Sequence, residues 1–92
     1  MIQEIITEFE DKVITQVVAA IKNLEGNNID NAVRQKEPFL RELRAYGRRH
    51  PEMTGESFSD LEERAKRIDW SDLRYVTGLI DECDTYISEY KK

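Results

Sequence analysis

His50 and Cys83, the single histidine and the single cysteine, are the side chains with chemistry suited to acid–base or nucleophilic work near neutral pH. Each also has a plain structural role. His50 stands six positions after Arg44 and directly before Pro51, which places it at the end of a helix instead of in a cleft. Cys83 falls among apolar residues at helical spacing, where a thiol packs as a small hydrophobe and is inert. A catalytic thiol needs a neighbouring base, and nothing in the spacing brings His50 to it. There is no Gly-rich phosphate loop, no Gly-x-Ser-x-Gly elbow and no Cys-x-x-Cys pair. Glu-x-x-His ligand spacing and Asp-rich calcium loops are missing too. The expectation is a protein that is not an enzyme and uses no metal, cofactor or small-molecule substrate.

Charge is the more informative chemistry. Residues 34–50 hold six basic side chains against two acidic ones, a net of +4 in a chain whose total is −5. On a continuous helix Arg34, Arg41, Arg44 and Arg48 fall on one stripe, with Arg49 beside it. Guanidinium groups in a row bind phosphate or carboxylate, or they pair with acidic helices next to them. Acidic side chains gather elsewhere: Glu4, Glu8 and Asp11 along the first helix, Asp81, Glu82 and Asp84 along the last. Such a surface masks a basic partner by complementary potential, or serves solubility.

Helices must carry these groups. Ile2, Ile6, Phe9, Val13, Val17, Ala20 and Leu24 recur every three or four residues and predict a helix over 2–25, with Gly26 as its C-cap. Ile14, Val18 and Ile21 form a second apolar stripe beside the first. After the turn at 26–28, capped by Asn28 or Asp30, Val33, Phe39, Leu40, Leu43 and Tyr46 mark a second helix. Pro38 should kink or split it, into 29–36 and 38–49. Residues 51–57 read as a loop. Ser59 and Glu62 fit a capping box for a short helix to about residue 68, with Ser57 and Asp60 as a rival pair and Leu61, Ala65 and Ile68 facing inward.

Ser71 reads as the N-cap of the last helix, with Trp70 and Tyr75 as a hydrophobic staple. Leu73, Val76, Ile80, Cys83, Ile87 and Tyr90 form its heptad seam. Gly78 would mark close approach of a neighbouring helix, and Lys91 and Lys92 suit the helix dipole. Tyr75, Leu79 and Tyr86 flank this seam, where half-exposed tyrosine is typical of interfaces. The short third helix and the long loop could equally cover them.

No segment alternates with period two, so the chain should be a single all-α domain over 1–92, a small bundle of four helices, or five if the second splits. With 92 residues, 39% apolar and 36% charged, it is globular in composition, and one modest core is affordable at this size. The start lacks a secretory signal pattern, the longest apolar run is Val17 to Ile21, and a lone cysteine makes no internal disulfide. Cytoplasmic location, with no membrane, is the expectation.

Three functional classes remain. The first is a small acidic protein–protein interaction module that occupies a partner's surface, with another protein or a second copy as a homodimer. An inhibitor, an immunity or antitoxin-type protein, an anti-defence protein of the anti-CRISPR kind and an adaptor all fit. Tyr75, Leu79 and Tyr86 would supply packing, and Glu4, Glu8, Asp81 and Asp84 charge. The second is nucleic-acid binding through Arg34, Arg41, Arg44, Arg48 and Arg49, which the net negative charge disfavours. The third is a helical subunit or chaperone of a larger complex.

Overall fold

The computed structural model describes residues 2–91, and among them there is no strand. Four helical rods make an up-down-up-down bundle. The first rod joins α1 (Ile2–Phe9), a π-helical turn (Glu10–Ile14) and α2 (Thr15–Glu25) without a break. At 1.5 Å per residue it runs about 36 Å, close to the 39 Å long axis of the molecule. The second rod is α3 (Ile29–Arg34) and α4 (Lys36–Arg49), the third α5 (Glu56–Arg67), the fourth α6 (Leu73–Ser88).

The π turn has a reason in the apolar spacing. Phe9, Val13 and Val17 are two successive four-residue steps, each overshooting one α-turn by about 40°. A turn closed by i→i+5 hydrogen bonds takes in the extra residue. Thr15 donates both its backbone N–H and its hydroxyl to the Glu10 carbonyl, completing that wide turn. Phe9, Val13 and Val17 are accordingly all buried in one line. The rod ends in a Schellman-type cap: Asn28 N–H reaches Asn23 O at 2.7 Å and Asn27 N–H reaches Leu24 O at 3.1 Å. Gly26 is the C-cap, as its place in the sequence predicts, and the left-handed residue is the one after it, Asn27, φ 61°. Asn28 precedes α3, but its side chain makes no capping bond.

Pro38 does not break the second rod. The interruption lies at Gln35, and Pro38 sits in the first turn of α4, where a missing N–H is an orphan in any case. Gln35 is held at the bend by its amide, which donates to the Gln16 side chain on α2. The bend changes the phase of α3, so Ala32 is buried and Val33 is exposed.

Helix α5 begins at Glu56, three residues before the expected cap; Gly55 is its N-cap, and Ser59 donates its N–H to Gly55 O inside the helix. The Ser59–Glu62 box is therefore not formed, nor is its rival: Ser57 donates its hydroxyl to Glu89, the residue that ends α6. The early start brings Phe58 into the core with Leu61 and Ala65. In the connection before it, Pro51–Met53 form a 3-10 turn that buries Met53.

The N-cap of α6 is Asp72, one residue after Ser71; its carboxylate accepts from Arg74 N–H at 2.9 Å. The staple consequently does not form. Trp70 is buried against Phe39 and donates its indole N–H to Ala65 O, while Tyr75 stays 48% exposed. The buried stripe of α6 is Val76, Leu79, Cys83, Tyr86 and Ile87. Leu73 and Ile80 lie at its margin, Leu73 exposed and Ile80 partly buried. Gly78 meets no close neighbour: a methyl group there would find only the Arg64 guanidinium, at 3.8 Å. The tight approach is at Gly47 instead, where a methyl would come within 2.8 Å of Phe58 Cζ. Lys91 lies beyond the helix and pairs with Glu10 at 3.6 Å; Lys92 lies outside the described residues.

Side-chain pairs fix the direction of each rod. Glu8 meets Arg49 and His50, Arg44 meets Glu62, Arg64 meets Glu82, and Lys91 meets Glu10. Each neighbouring pair of rods is thus antiparallel. Helices α4 and α6 stand diagonally across the bundle and run in the same direction. Rings fill one end of the core: Phe9 lies 5.2 Å from Tyr46 and 5.0 Å from Tyr86, which also contacts Phe58 and Tyr90.

Candidate functional site

The groups with intrinsic reactivity are held in structural roles. Cys83 is buried, and burial pushes its thiol well above the ordinary range, with the nearby carboxylates of Asp84 and Glu82 adding to the effect. That environment suppresses the thiolate a nucleophile requires. His50 caps α4 and bridges two carboxylates, Glu8 Oε1 at 3.1 Å and Glu52 Oε1 at 3.6 Å, with its ring 4.9 Å from that of Tyr46. Burial alone would raise the Glu8 carboxyl, but hydrogen bonds from His50 and Arg49 outweigh it and hold Glu8 below its ordinary value. Among the described residues no three His, Cys, Asp or Glu side chains come together as a metal site would need. No helix among the described residues is long and apolar enough to cross a membrane.

The expected packing trio divides. Leu79 and Tyr86 are core residues, at 0% and 2% exposure. Tyr86 packs under Met53 and Phe58, and its hydroxyl donates to Met53 O at 2.6 Å. The loop and the third rod therefore cover what the sequence offered as an interface. Tyr75 alone of the three is exposed. The second stripe of the first rod is not wholly spare either: Ile14 and Ile21 pack partly buried against the core, and Val18 between them is half-buried.

The charged candidates also separate. Glu8 is occupied by Arg49 and His50. Glu4 is exposed on α1, and Asp81 and Asp84 are exposed on α6. Of the arginines, Arg34 lies beyond the bend on α3, and Arg49 turns toward Glu8. Arg41, Arg44 and Arg48 remain one stripe and line, with Glu37, a shallow depression of about 250 Å³. Arg44 gives its Nε to Glu62 at 2.8 Å. Arg41 and Arg48 make no ion pair among the described residues.

The larger depression, about 820 Å³, lies between α5 and α6 and was not foreseen as a unit. Tyr75 and Ile68 give it an apolar part. Asp60, Glu63, Asp69 and Glu82 line it against Arg64 and Arg67. Both guanidiniums are already matched, Arg64 to Glu82 at 3.5 Å and Arg67 to Glu63 at 3.6 Å. What is left is acidic. Asp60 continues into a second depression with Glu56 and Glu89, so carboxylates follow the length of the α5–α6 side. Gly78, where no neighbour claims the space, keeps α6 low beside this groove. A sequence signal for it existed: Tyr75, Gly78 and Glu82 recur at helical spacing, but the wrong seam phase hid their common face.

Compared with family models, curated proteins and solved structures, the chain matches none.

Proposed function

We propose that this chain is a non-enzymatic, cytoplasmic protein-binding module whose docking surface is the α5–α6 groove and whose partner presents a basic surface. The observation that carries this reading is Tyr75, half-exposed beside Ile68 in the depression of about 820 Å³, where Asp60 and Asp69 hold no ion pair among the described residues. A tyrosine in that position buries ring area on contact and keeps its hydroxyl wet, at low entropic cost. The carboxylates steer a basic partner and set its register. Inhibitors, immunity or antitoxin-type proteins, anti-defence proteins and adaptors all act by such occupancy. The burial of Cys83 and the place of His50 at the end of α4, in hydrogen-bond contact with Glu8, support the non-enzymatic part of the proposal.

Nucleic-acid binding through α4 is the second reading, favoured by the exposure of Arg41 and Arg48 and opposed by the net charge of −5. One experiment addresses both. A photo-crosslinking phenylalanine analogue replaces Tyr75, or Arg34 as a control, and the protein is irradiated in lysate of its own host with and without nuclease. The expected result is one discrete, nuclease-resistant protein adduct from position 75, lost when Asp60→Lys and Glu63→Lys are added and not formed from position 34. No adduct at position 75 would overturn the groove. Adducts that vanish with nuclease would transfer the case to α4.

A further inference from the structure

Helix α4 presents a sign pattern on its outward face. Glu37, Arg41, Arg44 and Arg48 are all exposed and fall within about 60° of one another at 100° per residue. Along the axis the sequence of charges is one negative, then three positive. Helix α6 carries the opposite order on its own outward face: Arg74, then Asp81 and Asp84, all exposed. From Glu37 to Arg44 and from Arg74 to Asp81 the rise is the same, about 10.5 Å. From Glu37 to Arg48 it is about 16.5 Å, against about 15 Å from Arg74 to Asp84. Laid side by side in parallel, the two faces oppose Glu37 to Arg74, Arg44 to Asp81 and Arg48 to Asp84.

The bundle is built to bring such faces together only between molecules. α4 and α6 occupy diagonal positions and run in the same direction, so their outward faces look away from each other. Shifting one molecule sideways, with a stagger along the axis, puts its α6 beside the α4 of the next in the parallel sense the charges need. We propose that the α4 stripe is a docking site for α6 of a second copy of this chain. A lone polyanion fits the stripe less well, because Glu37 stands in line with the arginines and requires a cation opposite it. Charges remain available for the contact: Arg44 uses only Nε on Glu62, and Arg41, Arg48, Asp81 and Asp84 hold no ion pair within the described residues, while Arg74 pairs with Asp72 and has to share its guanidinium with Glu37.

This contact is heterologous, one face against a different face, so it propagates as open chains instead of closing as a two-fold dimer. Exposed ion pairs are individually weak and are screened within about 10 Å at 0.1 M salt. Association is therefore concentration-dependent and salt-sensitive. It is independent of the groove reading, since Tyr75 and Asp60 belong to neither stripe.

The test is sedimentation equilibrium of the full chain, from about 10 μM to 1 mM, at low and at high salt. The expected result is a mean mass that rises above the 10.8 kDa of one chain with concentration at low salt and returns to it at high salt. Two charge-swapped proteins give the decisive arm, Arg41→Glu with Arg48→Glu, and Asp81→Arg with Asp84→Arg. Each alone should stay monomeric, the first with two acidic faces and the second with two basic ones. Mixed, they should associate again. A monomer under every condition, association that the swaps leave unchanged, or a mixture that stays monomeric would overturn the proposal. So would tight binding of a 20-base-pair DNA duplex that depends on Arg41 and Arg48, which would make phosphate the natural ligand of the stripe.

Discussion

Tyr86 is the residue on which the core and the functional reading most directly meet. Its ring lies among Phe9, Phe58 and Tyr90, and its hydroxyl satisfies the Met53 carbonyl. Tyr86→Phe keeps the ring and leaves a buried carbonyl without its donor, at a cost of about 1–3 kcal/mol. Tyr86→Ala also opens a cavity and should cost about 3–5 kcal/mol, by analogy with other aromatic truncations. Urea unfolding followed by circular dichroism reads both. If Tyr86→Phe leaves the midpoint where it was, the Met53 hydrogen bond contributes nothing. A loss of partner binding in Tyr86→Ala would report unfolding, whereas the same loss in Tyr75→Ala would report the groove. Sequence could not separate these two tyrosines. The acceptor for Tyr86 is a main-chain oxygen in a turn 33 residues away, and nothing in the pattern of side chains announces it. Cys83 was legible, because its apolar neighbours at helical spacing sufficed.

Elements were legible to the extent that apolar periodicity has one phase. The first rod had a dominant one beside a shorter second stripe, and the dominant stripe is the buried line from Ile6 to Ala20. In helix α6 the seam read from Leu73, Val76, Ile80, Cys83, Ile87 and Tyr90 had further apolar residues, Leu79 and Tyr86, beside it. The choice fell to tertiary packing, which took Leu79 and Tyr86 in and left Leu73 out. Caps were less legible still: Ser59 and Ser71 have suitable side chains, but Gly55 and Asp72 won by where the connecting chain turns. The two mid-helix glycines give a sharp contrast at this scale. Alanine restores about 1 kcal/mol of helix propensity at either position. At Gly78 the new methyl meets only a movable guanidinium at 3.8 Å, so Gly78→Ala should stabilise by up to about 1 kcal/mol. At Gly47 it would press on the Phe58 ring at 2.8 Å and on Thr54 at 3.2 Å. Overpacking of that kind costs about 1–3 kcal/mol, so Gly47→Ala should be net destabilising. Thermal melts of the two variants decide it, and equal shifts of the same sign would mean that Phe58 yields freely.

At the scale of the molecule, the all-α bundle followed from sequence, while the arrangement of its charges did not, because that depends on which rods are diagonal. Acidic groups line the α5–α6 side and arginines the α4 side, and a few buried or paired groups link this protein's stability to pH. Glu8 is held below its ordinary value by the bonds from His50 and Arg49, which outweigh its partial burial. Asp69 and Asp72 are lowered by hydrogen bonds from Ser71 and Arg74 respectively. Depressed carboxylates stabilise fully above their unfolded values, and that contribution is lost as pH falls through the folded ones. Burial raises Tyr46 and Tyr86 well above the ordinary 10.0 of tyrosine, and Cys83 above the ordinary 9.0 of a thiol. Their sign is opposite. The folded state keeps these protons while the unfolded chain releases them, so stability declines as pH rises past about 9. The urea midpoint should therefore be flat from about pH 5 to 8.5 and fall on both sides. Glu8→Gln removes the carboxylate that ties α1 to the end of α4, so it should lower the plateau and shrink the acid limb; because the Glu8 charge adds to burial in raising Tyr46, it should also trim the alkaline limb without abolishing it. An alkaline limb that is absent up to about pH 10.5 would show that the Tyr46 and Tyr86 hydroxyls and the Cys83 thiol ionise as readily in the folded bundle as in the free chain.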